Sequence, residues 1–203
     1  MSKTAADWDA VYREPGYAFG TAPNDFLAEV AVHIPPGPVL CIGEGEGRNA
    51  VHLAALGHPV TAMDYSSVGL AKAQSLAGER GVEITTLVAD LENYDPGEAV
   101  WAGVVSIFLQ IPPELRRQVH RAVAGALRPG GVFVAEAYAV DQAALSSGGP
   151  RETRLLYDPE RIKSELPGLD WQIARVVERE LNQGRRNQGL SAVAQLLGRR
   201  PSD

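Results

Sequence analysis

Val39-Leu40-Cys41-Ile42-Gly43-Glu44-Gly45-Glu46-Gly47-Arg48-Asn49-Ala50 is an apolar run that breaks into glycines at alternate positions and continues in a helix-compatible segment to Leu56 and Gly57. That order reads as a strand, a tight turn and a helix start. Glycine admits backbone dihedrals closed to other residues and, lacking a Cβ, lets a ligand lie against the main chain. The turn feeds a helix N-terminus, whose free N–H groups and positive dipole end face whatever sits above the strand. A nucleoside-type cofactor is the ligand this arrangement suits.

Size and composition set the bounds. The 203 residues, 45% hydrophobic, suffice for a full core and fall short of two ordinary domains, so a single domain over residues 1–203 is expected. We divide it into an N-terminal helical lid or preamble (1–38), a cofactor-binding core (39–137) and an acceptor-side loop, short helix and closing hairpin (138–203). A net charge of −6 argues against a general grip on nucleic acid. The single cysteine cannot form an internal disulfide, and no apolar run approaches the roughly 20 residues that span a bilayer. The start, MSKTAADWDAVY, lacks a signal-peptide core, so a cytoplasmic protein is expected.

Working outward from the turn, the preamble holds Trp8, Tyr12, Tyr17 and Phe19, a cluster that is either a satellite core or a lid. Asn24 or Asp25 can cap a helix running to about Ile34, before Pro35 and Pro36. Downstream, Pro59 to Met63 reads as a second strand ending in Asp64, about 20 residues beyond the turn, where a carboxylate can hold ribose hydroxyls. Asp64 could instead cap the next helix, a task open also to Ser66 or Ser67. Leu70, Ala73, Leu76 and Ala77 mark that helix, which ends near Gly81. A third strand, Ile84 to Val88, leads into Asp90, either an adenine acceptor or an exposed loop carboxylate.

The fourth strand, Gly103 to Phe108, is apolar on both faces, as a central strand should be. Pro113 and Glu114 start a helix that ends abruptly at Leu127-Arg128-Pro129-Gly130-Gly131, ahead of a fifth strand from Val132 to Ala137. Residues 141–153 are Gly/Ser-rich and read as a loop, and Asp158-Pro159-Glu160 opens a helix from Glu160 to Leu166. Two strand-like stretches, 171–181 and 189–200, separated by Asn182 to Gln188, suggest an antiparallel hairpin.

In order and spacing, VLCIGEGEGRNA, VTAMDYS, ADL after the third strand and LRPGG before the fifth resemble the motifs of class I S-adenosylmethionine-dependent methyltransferases. YAFGTAPNDFL and EGRNA look like the small bacterial branch that includes the tellurite-resistance, TehB-type enzymes. The resemblance implies an α/β, Rossmann-like fold: a mostly parallel seven-stranded sheet with helices on both faces and a C-terminal antiparallel hairpin. It implies S-adenosylmethionine as cofactor, with Gly43 and Gly45 cradling its methionine part, Asp64 on the ribose and Tyr65 beside the adenine. Asp90 and Leu91 would meet the adenine edge and Ile107 the reacting methyl, with Ser66 and Ala89 counted beside them. Relatives usually carry an acidic residue at the position of Cys41, so Glu44 is expected to take over part of its contact with the methionine amino group. Gly103 and Gln110 stand where the family often has Asp and His, which speaks against a histidine base.

Methyl transfer needs nucleophile, methyl and sulfur in line and water excluded. The expected acceptor is a small molecule with a soft nucleophile such as a thiol, selenium or tellurium species, which needs little base catalysis. Tyr12, Tyr17 and Gln110, with Phe19 and Tyr138, are expected to line the acceptor side in positioning roles, and no metal is expected. His33, His52, His58 and His120 read as surface or packing residues, and Cys41 as a buried hydrophobe. No nucleic-acid or membrane partner is expected, and the chain reads as a monomer or homodimer. Two alternatives stand: a cofactor-binding protein without catalysis, and an NAD-dependent oxidoreductase. The second lacks the final glycine of G-x-G-x-x-G, since Arg48 stands there, read as a helix-surface charge or a partner for Glu44 or Glu46.

Overall fold

A computed structural model describes residues 4–145 and 147–202; residues 1–3 of the N-terminal reading, position 146 of the 141–153 loop and position 203 lie outside the described residues. The sheet has seven strands: β1 (Val39–Ile42), β2 (Val60–Asp64), β3 (Thr85–Val88), β4 (Trp101–Ile107), β5 (Leu127–Tyr138), β6 (Asp170–Gln183) and β7 (Asn187–Arg199). Their order is β3-β2-β1-β4-β5-β7-β6. The first five strands pair in parallel, and β7 runs antiparallel to both β5 and β6. The sheet is therefore mixed, with its antiparallel part in the expected hairpin.

The helices are α1 (Ala5–Arg13), α2 (Asp25–Val30), α3 (Arg48–Ala55), α4 (Ser67–Glu79), α5 (Pro113–Ala126) and α6 (Pro159–Glu165). Alternation along β1 sends Val39 and Cys41 into a core with Phe26, Leu27, Leu53, Leu70 and Leu76, from α2, α3 and α4. Leu40 and Ile42 enter the opposite core with Val119, Val123 and Ile162, from α5 and α6. Helices thus cover both faces, as apolar parallel strands require. None of the described helices is long and apolar enough to cross a membrane.

The caps follow local chemistry. Asn24 accepts from the N–H of Leu27 at the start of α2, and Ser66 accepts from that of Gly69 at the start of α4. Three expected boundaries need correction. Residues 127–131 begin β5 instead of merely ending α5, because Leu127 pairs with Trp101, and Gly130 and Gly131 bond the backbone of Arg200. Phe108 leaves β4 with φ 53°, which turns the chain aside at the strand's end. The 182–188 separator is largely paired, since Gln183 lies opposite Asn187, leaving a three-residue connection in which Gly184 takes φ 65°.

Strand order reverses between β1, which runs next to β2 on one side, and β4, which borders β1 on the other. In open sheets such a switch point, at the carboxyl ends of the strands, leaves a crevice for ligands. The glycine turn leaves β1 there.

Candidate functional site

Between β1 and α3, Gly43, Gly45 and Gly47 take φ of 63°, 62° and 89°. The three serve different ends. A Cβ at Gly47 would fall 2.5 Å from the Cβ and 2.7 Å from the Cα of Ala73, so this glycine lets α3 and α4 approach. At Gly43 the space above is held by Leu109, 2.7 Å from such a Cβ, and at Gly45 by the hydroxyl of Tyr12, at 2.5 Å. Both covers are ends of side chains, so the backbone cradle beneath is exposed when they swing aside. Glu44 uses one oxygen to accept from the N–H groups of Asn49 and Ala50, each at 2.9 Å, and so caps α3. Burial raises Glu44 to about 7, against the pull of those amides and of Arg48.

Tyr12 belongs to α1, a helix inside the stretch expected as a helical lid or preamble, whose bounds the sequence reading did not give. Its signal was present in Thr4-Ala5-Ala6-Asp7: the Thr4 hydroxyl accepts from the Asp7 N–H and the Asp7 carboxylate from the Thr4 N–H, a capping box. Trp8 stacks on Tyr12 at 5.5 Å, and the two join Val11, Ala18, Phe19 and Val68 in a small cluster of their own. The Ser66 hydroxyl donates to Asp9 at 2.5 Å. The aromatic cluster is thus a satellite core that also covers the turn.

The expected cofactor residues gather along the ends of β2 and β3. Asp64 is buried, and its two oxygens accept from the N–H groups of Gly45 (2.9 Å) and Ser66 (2.8 Å). Burial raises its pKa while these amides lower it. A carboxylate has about four acceptor sites, so each oxygen retains capacity for a hydroxyl. Tyr65 is half-buried, and burial, then the charges of Asp64 and Asp90, push its phenol to about 12. Asp90 is exposed and accepts from the Glu92 N–H, while Ala89 and Leu91 beside it are half-buried. Cys41 is fully buried, where burial pushes its thiol up.

Of the residues at and beyond the end of β4, Ile107 is buried, Phe108 packs on Tyr138 with ring centroids 5.0 Å apart, and Gln110 lies 3.5 Å from the carbonyl of Tyr138. Tyr157 donates to the carbonyl of Leu109, which fixes the segment covering Gly43. Tyr17 is brought instead to α4, where its hydroxyl reaches the Lys72 carbonyl at 3.5 Å. Tyr17 and Gln110 therefore lie with different groups. The histidines sit elsewhere: His52 and His58 line a cavity of about 510 Å³ with Leu56 and Gly57, and His120 is buried against Glu165.

Arg48 is the largest departure from the sequence reading. Only 7% exposed, it is no surface charge: it donates to the carbonyl of Phe19 (3.2 Å) and to Gln183 Oε1 (2.9 Å). Glu46 takes other partners, Lys72 at 2.9 Å and the N–H of Ala18 at 2.7 Å. Beside Arg48, the fully buried Glu136 accepts from Asn24, Gln195 and Arg179, tying the preamble and hairpin to β5. Nothing in the spacing of these residues announces that they meet.

Residues 39–131 match the family described as a methyltransferase domain. The chain is 34% identical to ribosomal protein L11 methyltransferase of Symbiobacterium thermophilum, over 60% of this chain and 40% of that protein. It is 30% identical to the probable S-adenosyl-L-methionine-dependent methyltransferase TehB of Haemophilus influenzae, over 52% and 39%. It thus spans about two fifths of the length of these curated relatives. Among solved structures, TehB from Haemophilus influenzae superposes with a TM-score of 0.71 at 20% identity, covering 87% of this chain and 61% of that one. A protein solved in work on the conversion of a disulfide bond into a thioacetal group during echinomycin biosynthesis gives a TM-score of 0.73 at 22% identity, covering 97% and 92%.

Proposed function

We propose that this chain, whose core is that of a class I S-adenosylmethionine-dependent methyltransferase of the TehB-like kind, transfers a methyl group to a small molecule bearing a soft nucleophile. The methyltransferase-domain match over residues 39–131 supports the methyltransferase part of this reading and speaks against the nicotinamide-dependent alternative. The residues suit a nucleoside with an amino-acid tail. Gly43 and Gly45 offer bare backbone, Asp64 offers free acceptor sites for two hydroxyls, and Tyr65 offers a half-buried ring.

When bound, the cofactor supplies an electrophilic methyl on a sulfonium sulfur. The chain's own part is to seat it and keep water away. Tyr12 and Leu109, which cover the cradle, must move for entry, and α1 closes again over the occupied turn. Phe108, Tyr138 and Ile107 present an apolar floor at the end of β4, where a dry site favours the approach of an anion to a cation. His52 and His58 line a separate cavity and His120 is engaged by Glu165, so none of these three is assigned the role of general base. The second reading is a fold that binds the cofactor without transferring from it, which Cys41, Gly103 and Gln110 at altered motif positions keep open. Homocysteine-product release across thiols, selenite, tellurite and small amines separates the two: turnover with a thiol or chalcogen species is expected, and binding without turnover on any acceptor would select the second.

Glu44 is assigned the methionine ammonium. A cation placed beside a carboxylate poised at about 7 drives off its proton, so S-adenosylhomocysteine binding at pH 7 should release protons. Calorimetry in buffers of different ionisation enthalpy should show this release, and Glu44→Gln should abolish it and weaken binding by about tenfold. Equal affinity in parent and variant would remove Glu44 from the contact.

A further inference from the structure

We propose that Gln183 and Asn187, at the tip of the β6–β7 hairpin, receive a carboxylate, either the methyl acceptor's or that of the cofactor's methionine end. The inference rests on the methyltransferase reading. The two residues are 6% and 5% exposed and lie opposite each other in the hairpin register, so their side chains share one face. Arg48, itself buried, donates to Gln183 Oε1. A guanidinium only donates, so the Gln183 amide is fixed with its oxygen toward Arg48 and its nitrogen turned away. The Tyr138 hydroxyl donates to Asn187 Oδ1 at 3.3 Å, which leaves the second amide nitrogen likewise free.

Both nitrogens, Gln183 Nε2 and Asn187 Nδ2, are buried and lack a hydrogen-bond partner among the described residues. Buried donors without acceptors are costly, and a site that leaves two of them together is built for an acceptor that comes from outside. Their surroundings place that acceptor at the switch point. Arg48 is the first residue of the helix leaving the glycine turn, and Tyr138 packs on Phe108 at the end of β4.

Charge narrows the chemistry. Arg48 is a buried cation whose hydrogen bonds to Phe19 and Gln183 go to neutral oxygens, while the charges of Glu44 and Glu136 reach it without a direct ion pair among the described residues. Two neutral N–H donors, with a guanidinium behind one of them, suit an acceptor that presents two oxygens, as a carboxylate does.

The test uses isosteric variants of the full chain. Gln183→Glu keeps an oxygen toward Arg48 and replaces the donor by an acceptor; Asn187→Asp does the same beside Tyr138. Calorimetry compares S-adenosylhomocysteine with 5′-methylthioadenosine, which lacks the amino-acid tail. On protein loaded with S-adenosylhomocysteine it then compares thioglycolate with 2-mercaptoethanol. In one of the two pairs, each variant should lose about tenfold of the parent's preference for the carboxylate-bearing member, with the other member unchanged within about twofold. Loss in the first pair assigns the site to the cofactor's carboxylate and loss in the second to the acceptor's. Preferences unchanged in both pairs, or equal losses for both members, would overturn the proposal. If the parent takes up no S-adenosylhomocysteine, the functional reading fails by itself, and the thiol pair on unloaded protein still decides the fate of the amides.

Discussion

Asp64→Ala is expected to lower affinity for S-adenosylhomocysteine by about a hundredfold while leaving the fold in place. Each hydrogen bond from a ribose hydroxyl to an ionised carboxylate contributes about 1.5 kcal/mol or more, and two of them give roughly 3 kcal/mol, or two decades in Kd. The side chain also receives the N–H groups of Gly45 and Ser66, so its loss leaves two amides without their acceptor. Asp64→Asn separates the two effects. It retains an oxygen for one of the amides and can accept from a hydroxyl, so it should bind more tightly than the alanine variant and melt closer to the parent. Alanine and parent binding equally well would show that the ribose is held elsewhere.

Glu165→Ala should be the most damaging single change to stability, at about 3–5 kcal/mol, because it strands a cation in the interior. Arg116 is fully buried and is met by Glu165 at 2.9 and 2.8 Å; the same carboxylate meets His120 Nδ1 at 2.8 Å. Burial alone would raise the Glu165 pKa, but the Arg116 and His120 hydrogen bonds outweigh it and hold the group at about 2. His120, held low by burial, serves as a neutral N–H donor. The Arg116 guanidinium also stacks over Tyr157, the residue whose hydroxyl fixes the Leu109 carbonyl, so the cluster supports the segment covering Gly43.

The sign of the pH dependence follows. Glu165 is lowered from 4.5 in the unfolded chain to about 2, so its contribution is complete above about 4.5 and is lost as pH falls toward 2. Glu44, raised from 4.5 to about 7, acts the other way: the folded state holds the extra proton, and its contribution fades as pH rises across that window. Denaturant unfolding at a series of pH values should show both slopes. Glu165→Ala should remove the acid one, and a loss below about 1 kcal/mol at pH 7 would contradict the assignment.

Local signals in the chain were sufficient where structure is local. The run 39–42, the glycines after it and Asp64 at the end of β2 could be read directly, because strand, turn and position beyond a strand are short-range features. Ser66 and Asn24 were legible as caps for the same reason. What escaped reading depends on partners far apart in sequence. Arg48 looked like a surface charge because its burial is created by Phe19 and Gln183, the second of them 135 positions away. Glu136 and Glu165 likewise depend on partners brought in by other elements. α1 stands between the two: a helical preamble was expected, but its start was not placed although the capping box that sets it is local.

Titration of the purified chain with S-adenosylhomocysteine and, in parallel, NAD, followed by calorimetry and by the fluorescence of Trp8 stacked on Tyr12, tests the account most directly. Saturable heat with S-adenosylhomocysteine, an accompanying change in tryptophan emission as Tyr12 leaves Gly45, and no response to NAD are the predicted result. Neither heat nor emission change with S-adenosylhomocysteine, up to its solubility limit, would contradict it.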